Sequence, residues 1–260
     1  MVGMSGTNEP ARNAAPEPGR TYRSEQSRRA SAPAQVTLLR HGEPDWAPGG
    51  GASVDDPGLT PYGREQARQA AEALCRERID AIYVSPYRRS QETAMPLARA
   101  TGLEPVTIPD LREVGVNVGG LSSQEDVDAY FVEATRRPLG EHWEGWPGAE
   151  TFEAFHGRVR GALEDVLGRH DVAPSRDDEH GFTVWRVPEP GPHLVIVAHG
   201  GTNAVAATHL LDVRPVPWEW LRFESQLAAY SVLQARPLGP DGHVWSLVNF
   251  NELDHLRPLP

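Results

Sequence analysis

Leu194-Val195-Ile196-Val197-Ala198-His199-Gly200-Gly201 is an unbroken apolar run, rich in β-branched residues, that ends in a histidine and two glycines. An apolar run this short, bounded by glycine, predicts a strand buried on both faces. A helix from about 202 to 211 follows it. Toward the N-terminus, Val36-Thr37-Leu38-Leu39 is a second buried strand, ending in Arg40-His41-Gly42. Thr60 before Pro61 marks a helix start, with Ala67, Ala70, Ala71 and Leu74 as its apolar stripe. Ala81-Ile82-Tyr83-Val84 predicts a strand, and Ser85-Pro86 a cap and first-turn proline for a helix that stops near Gly102. A weaker strand is expected at 106–108, helices at 122–136 and 150–169, and two late strands at 228–233 and 244–248. Apolar strands alternating with helices predict an α/β fold, a three-layer sandwich with a mostly parallel central sheet and helices on both faces.

Two regions stand apart. Residues 1–34 hold Pro10, Pro16, Pro18 and Pro33 and almost no large apolar side chain, which predicts a disordered tail before a single domain over 35–260. Residues 171–192 are polar and proline-rich and read as a surface insertion.

Composition narrows the chemistry. Among 260 residues, all 25 basic ones are arginine, so lysine-dependent mechanisms such as Schiff-base catalysis are excluded. The net charge of −11 makes nucleic acid and anionic membrane poor partners, and neither is expected. A single cysteine, Cys75, excludes an internal disulfide or a multi-cysteine zinc site and suits a reducing, cytoplasmic setting. No apolar run approaches the roughly 18 residues that a membrane span needs. No His-Glu-x-x-His is present, so neither metal nor cofactor is expected. Nothing in the sequence speaks against a homodimer.

In open α/β sheets, ligands bind beyond the carboxyl ends of the strands. His41 and His199 each occupy such an end, and each is followed by glycine, which lets backbone approach a ligand closely. Arg40 adds a planar fork suited to phosphate.

Further stretches, in order, carry a resemblance: Leu38-Leu39-Arg40-His41-Gly42-Glu43, then Leu59-Thr60-x-x-Gly63-x-x-Gln66-Ala67, Ser85-Pro86-Tyr87-Arg88-Arg89-Ser90-x-Glu92-Thr93-Ala94, Leu111-Arg112-Glu113, Gly148-Ala149-Glu150-Thr151, Val197-Ala198-His199-Gly200-Gly201 and Leu253-Asp254-His255-Leu256. Together they resemble the histidine phosphatase superfamily, the phosphoglycerate mutase-like family, across 35–256. The resemblance implies a phosphomonoesterase that hydrolyses a small phosphorylated metabolite through a phosphohistidine. It implies His41 as nucleophile, Arg40 and Arg89 as phosphate clamps, His199 and Gly200 beside the phosphoryl group, and Glu113 as proton donor. That division of labour is what phosphoryl transfer requires: a positioned nucleophile, cations around three oxygens, and an acid for the leaving group. Glu43 and Glu150 are alternative carboxylates, since Asn117-Val118-Gly119-Gly120 departs from the family's usual Gly-x-x-Glu-Gly. Ala47 stands where many relatives have asparagine. Glu43, Trp46, His142, Trp143, Trp146 and Glu150 are expected around the substrate pocket. The tryptophans could equally stack on a ligand ring or pin an irregular loop to the core.

Two alternatives remain. A phosphoglycerate mutase is disfavoured because Pro44-Asp45-Trp46-Ala47-Pro48-Gly49-Gly50-Gly51 lacks the mutases' asparagine-rich stretch. A non-catalytic phosphate-binding module on the same fold is the other, and it would be signalled by loss of a core residue, whereas Arg40, His41, Arg89 and His199 are all present. The sequence does not name the substrate.

Overall fold

A computed structural model describes residues 32–50, 54–115, 135–177, 181–240 and 242–257, with positions 129, 132, 133 and 179. Most of the helix expected at 122–136 and most of the expected tail lie outside the described residues; positions 129, 132, 133, 135 and 136 of that helix are described and are helical. The strands are β1 (Gln35–Arg40), β2 (Ala81–Val84), β3 (Val106–Thr107), β4 (Ala173–Asp177), β5 (Phe182–Arg186), β6 (His193–Ala198), β7 (Tyr230–Leu238) and β8 (Gly242–Glu252). The helices are α1 (Pro61–Leu74), α2 (Arg88–Thr101), α3 (Phe152–Gly168) and α4 (Gly200–Leu210).

All the described strands join one sheet, in the order β3-β2-β6-β1-β7-β8-β5-β4. The pairings among β3, β2, β6 and β1 are parallel, and those from β1 through β7, β8, β5 and β4 are antiparallel. The sheet is therefore mixed, not mostly parallel. The reason lies in the connections: β7–β8 and β4–β5 are joined by a few residues, which permits a hairpin but not the crossover that parallel pairing needs. The stretch expected as a surface insertion thus contains the outermost hairpin of the sheet, held to β8 at Trp185–His243.

Period-2 alternation on the central strands divides the core. Val36, Leu38, Leu194 and Ile196 pack with Leu163 and Val166 of α3 and Ala206 and Leu210 of α4. Leu39, Val195 and Val197 face the other way, onto Ala70 and Leu74 of α1 and Ala94 and Leu97 of α2. Each buried leucine is a site where truncation to alanine costs about 2–5 kcal/mol.

The helix starts follow local chemistry. Thr60 Oγ1 accepts from Gly63 N–H at 2.9 Å and Thr151 Oγ1 from Ala154 N–H at 3.1 Å, capping α1 and α3. At α2 the expected Ser85 cap is not made, because Tyr87 is the N-cap residue and the Ser85 hydroxyl turns to His199. The N-terminal boundary also differs. Ala34 is buried, its carbonyl accepts from Ala235 N–H at 2.9 Å, and the Ala32 carbonyl accepts from Gly191 N–H at 2.8 Å. Residues 32–34 belong to the folded body. No described helix is long and apolar enough to cross a membrane.

Candidate active site

The parallel register of β1 and β6 places Arg40 beside Ala198, so the next residue of each strand, His41 and His199, meet at the sheet's carboxyl edge. Their ring centroids are 5.2 Å apart. His41 N–H donates to the Ala198 carbonyl at 3.0 Å, extending the ladder one residue past the strand. The turn that follows requires glycine: a Cβ at Gly42 would lie 2.5 Å from the Gly63 carbonyl oxygen, and one at Gly63 only 2.2 Å from the Glu43 carbonyl oxygen. Two glycines let the loop press onto α1 and hold the His41 backbone.

His41 is buried, and its Nδ1 lies 2.7 Å from the Gly42 carbonyl oxygen. A carbonyl only accepts, so Nδ1 carries the proton and Nε2 keeps its lone pair. Burial, reinforced by the Arg89 and Arg40 charges and opposed by the Gly42 bond, lowers its pKa to about 3. Burial, with the neighbouring His41 imidazole and the Arg89 and Arg40 charges, likewise drives His199 well below the usual range. His199 Nε2 lies 2.7 Å from Ser85 Oγ, and its Nδ1 has no hydrogen-bond partner among the described residues.

Two guanidinium groups flank the imidazoles. Arg40 Nη1 donates to the Ser225 carbonyl, and its buried Nε is unpartnered among the described residues. Arg89, in the first turn of α2, is 5% exposed, and its Nε and Nη1 have no hydrogen-bond partner there. Its nearest carboxylate oxygen, Asp56 Oδ1, stands 3.8 Å away. The guanidinium lies 4.6 Å from the Tyr87 ring centroid and 5.3 Å from that of Trp46. Buried polar groups are normally satisfied, and charged ones left unpaired are costly. These cationic N–H groups converge on a space that an anion would complete.

Glu113 closes that space from the α4 side. Its Oε2 accepts from Gly201 N–H at 2.9 Å, and its Oε1 from Val114 N–H at 3.0 Å. The segment is held by Arg158 of α3, which donates to the Asp110, Arg112 and Glu113 carbonyls at 2.7–3.0 Å. Arg158 also grips Glu150 through two 2.7 Å bonds. Burial pushes the Glu150 carboxyl up, but the bonds and charge of Arg158 outweigh it and hold the group below the usual range.

A cavity of about 1050 Å³ opens over these groups. Arg40, His41, Arg89, Glu113, His199 and Gly200 line it, as do Trp46 and Trp146. The other expected pocket residues are elsewhere. Glu43 accepts from the Thr60 hydroxyl at 2.9 Å, and Glu150 is engaged by Arg158. His142 is fixed between the Arg137 carbonyl and the Trp218 indole N–H, while Trp143 packs edge-on against His156. That part of the tryptophan loop pins the chain to the core. Conversely, Asp55, Tyr87, Trp220 and Glu224 line the cavity, and Arg158 braces it, without having been singled out from sequence. Tyr87 could have been found, because it immediately precedes the Arg88-Arg89 pair. Among the described residues no three His, Cys, Asp or Glu side chains are grouped to hold a metal ion.

The model of the histidine phosphatase superfamily (branch 1) matches residues 36–173. Phosphoserine phosphatase 1 of Hydrogenobacter thermophilus is 34% identical over 138 residues, covering 52% of this chain and 65% of that protein. A probable phosphoglycerate mutase of Enterobacter sp. (strain 638) is 36% identical over 138 residues, covering 51% and 63%. These matches span a little under two thirds of either relative's length. Among solved structures, a mycobacterial glucosyl-3-phosphoglycerate phosphatase in complex with VO3 superimposes with a TM-score of 0.63 at 26% identity, over 84% of this chain and 99% of that one. The family match takes in Arg40, His41, Arg89 and Glu113, the sheet adds His199 beside them, and the chain belongs to the histidine phosphatase superfamily, branch 1.

Proposed function

We propose that the protein is a metal-independent phosphomonoesterase acting on a small phosphorylated metabolite. The observation that carries this reading is the buried, neutral His41 with a free Nε2, set between two arginines of which Arg40 Nε and Arg89 Nε and Nη1 are buried without a partner among the described residues. His41 Nε2 attacks phosphorus, the ester P–O bond breaks, and Glu113 in its acid form protonates the departing oxygen. Water then attacks the phosphohistidine and gives a proton to Glu113, the P–N bond breaks, and phosphate leaves with His41 neutral again. Arg40 and Arg89 hold the equatorial oxygens, as two cations in a pocket shielded from water. With Ser85 Oγ–H donating to His199 Nε2, the Nδ1–H of His199 and the backbone at Gly200 serve the same oxygens. The phosphatases among the relatives support hydrolysis as the outcome. A cytoplasmic setting fits the one free cysteine, Cys75.

The test is to mix enzyme with a 32P-labelled phosphomonoester, quench in alkali within milliseconds, and map the label. Alkali-stable, acid-labile label on His41, absent from His41→Asn, is the expected result. Rapid phosphate release with label on a hydroxyl residue, or with none at all, would falsify the covalent-histidine mechanism. Transfer of the label to a second organic acceptor instead of water would favour the mutase alternative.

A further inference from the structure

The cavity gathers its cationic side chains at one end. Among the described residues that line it, the arginines are Arg40 and Arg89, both at the histidine end. Its carboxylates are Glu113, bound to the start of α4, and Asp55 and Glu224, both on exposed residues. The rest of the wall is largely aromatic or aliphatic. Trp146 and Trp220 stack at 6.0 Å with 17° between their planes, and Trp46 and Leu221 are 48% and 72% exposed. The stretches 51–53 and 116–128, which adjoin Val54 and Gly115 in the chain, contain no arginine, lysine or histidine.

A phosphate monoester dianion engages both guanidinium groups. Whatever the phosphate is attached to then meets indole, tyrosine and aliphatic surface, and two carboxylates of like sign to any further anion. A carboxylate or second phosphate on that part finds no cation among the described lining residues besides Arg40 and Arg89, which the first phosphate already engages, and like-charge juxtaposition disfavours a ligand. An apolar or aromatic body, by contrast, gains area against the tryptophans, and a cationic group gains attraction from Asp55 and Glu224.

We infer that the substrate is a phosphomonoester whose alcohol part bears no negative charge and presents an apolar or aromatic body. Phosphoglycerates and their glycosides, which carry a carboxylate, are the disfavoured class. This selectivity rests on the phosphomonoesterase reading above and deepens it.

Three aryl esters of matched leaving-group acidity test it with the full chain at low salt: 4-ethylphenyl phosphate, 4-(2-aminoethyl)phenyl phosphate and 3-(4-phosphonooxyphenyl)propanoate. The neutral and cationic esters are expected to exceed the anionic one in kcat/KM by about tenfold, mostly through KM, with the gap narrowing as salt rises. Asp55→Asn combined with Glu224→Gln is expected to raise the anionic-to-neutral ratio severalfold. An anionic ester that matches or beats the neutral one, or a ratio unmoved by the double substitution, overturns the inference alone. Absence of phosphate release from all three, with no label on His41, overturns the phosphomonoesterase reading and takes this selectivity with it.

Discussion

Replacing Gly201 by alanine asks whether the position of the Glu113 carboxyl, beyond its presence, sets the rate. The new Cβ would stand 2.6 Å from Glu113 Oε1 and 3.1 Å from Trp220 Cε3. Ordinary contact begins at 3.4 Å, so the carboxylate end must withdraw by about 0.8 Å and loosen the 2.9 Å bond from Gly201 N–H. Misplacing a reacting group by about 1 Å can cost about 10²-fold. That sits at the low end of the ~10²–10⁴-fold that general acid catalysis supplies. Stability should barely change. The clash falls on the mobile end of a side chain, and alanine in a helix gains up to about 1 kcal/mol over glycine. The assay is kcat on an alkyl phosphate and on 4-nitrophenyl phosphate, with a thermal melt of the same samples. We expect a drop of roughly 30–100-fold on the alkyl ester, a much smaller one on the nitrophenyl ester, whose phenolate leaves without a proton, and an unchanged melt. If the alkyl ester is turned over within about twofold of the wild-type rate, Glu113 is not the proton donor and the reasoning fails.

Stability should fall as pH drops below about 6.5, because the unfolded chain takes up protons that buried His41 refuses until its folded pKa of about 3. That contribution is complete above the unfolded value and is lost progressively on the way down, at about 1.4 kcal/mol per pH unit for this one group. Urea unfolding of His41→Gln from pH 7 to 4 should therefore show a shallower pH dependence than wild type, and an equal slope would contradict the assignment. Arg158→Ala should cost about 3–5 kcal/mol, since Glu150 is left half-buried without its partner and three carbonyls lose their donor. Arg158→Lys, which cannot reproduce the fork, should still lower kcat on alkyl esters by loosening Glu113; full activity in the lysine variant would remove Arg158 from any positioning role. Deleting residues 1–31 should leave the melting temperature unchanged, whereas deletion through 34 should lower it by several degrees through loss of buried Ala34 and its bond to Ala235. Equal melts for the two truncations would refute the boundary.

What could be read in advance was whatever a short window encodes. The strand ends at His41 and His199 announce themselves by an apolar run stopping at His-Gly, and the cap at Thr60 by the Pro61 beside it. Strand direction is not written locally: Tyr230–Leu238 alternates buried and half-exposed residues, and it is the short connection to β8 that makes those two strands antiparallel. The hairpin at 173–186 escaped because its exposed edge strand carries Pro174 and Ser175, residues that also mark loops. The cavity wall was the least legible part. Asp55 lies far in the chain from the segment that carries Trp220 and Glu224, and nothing near either stretch signals a shared pocket. Trp143 and His142 looked like ligand-facing residues because an aromatic loop and an aromatic core contact have the same composition.

β1 is the first of the described strands that the ribosome delivers and one of the most deeply enclosed, with β6 on one edge and β7 on the other. Neither neighbour exists until residues 193–238 have been made. At about 5–20 residues per second, Val36 to Leu39 wait roughly 10–30 s with both edges open. An unpaired apolar strand is a template for other chains, so the nascent protein passes through an aggregation-prone interval that no stabilisation of the finished fold can shorten. The same ordering means that His41 and His199 come together only when β1 pairs with β6, across the 158 residues that separate Gln35 from its partner His193. Recovery of turnover should therefore trail recovery of helix on refolding, and a chaperone that shelters β1 should raise heterologous yield.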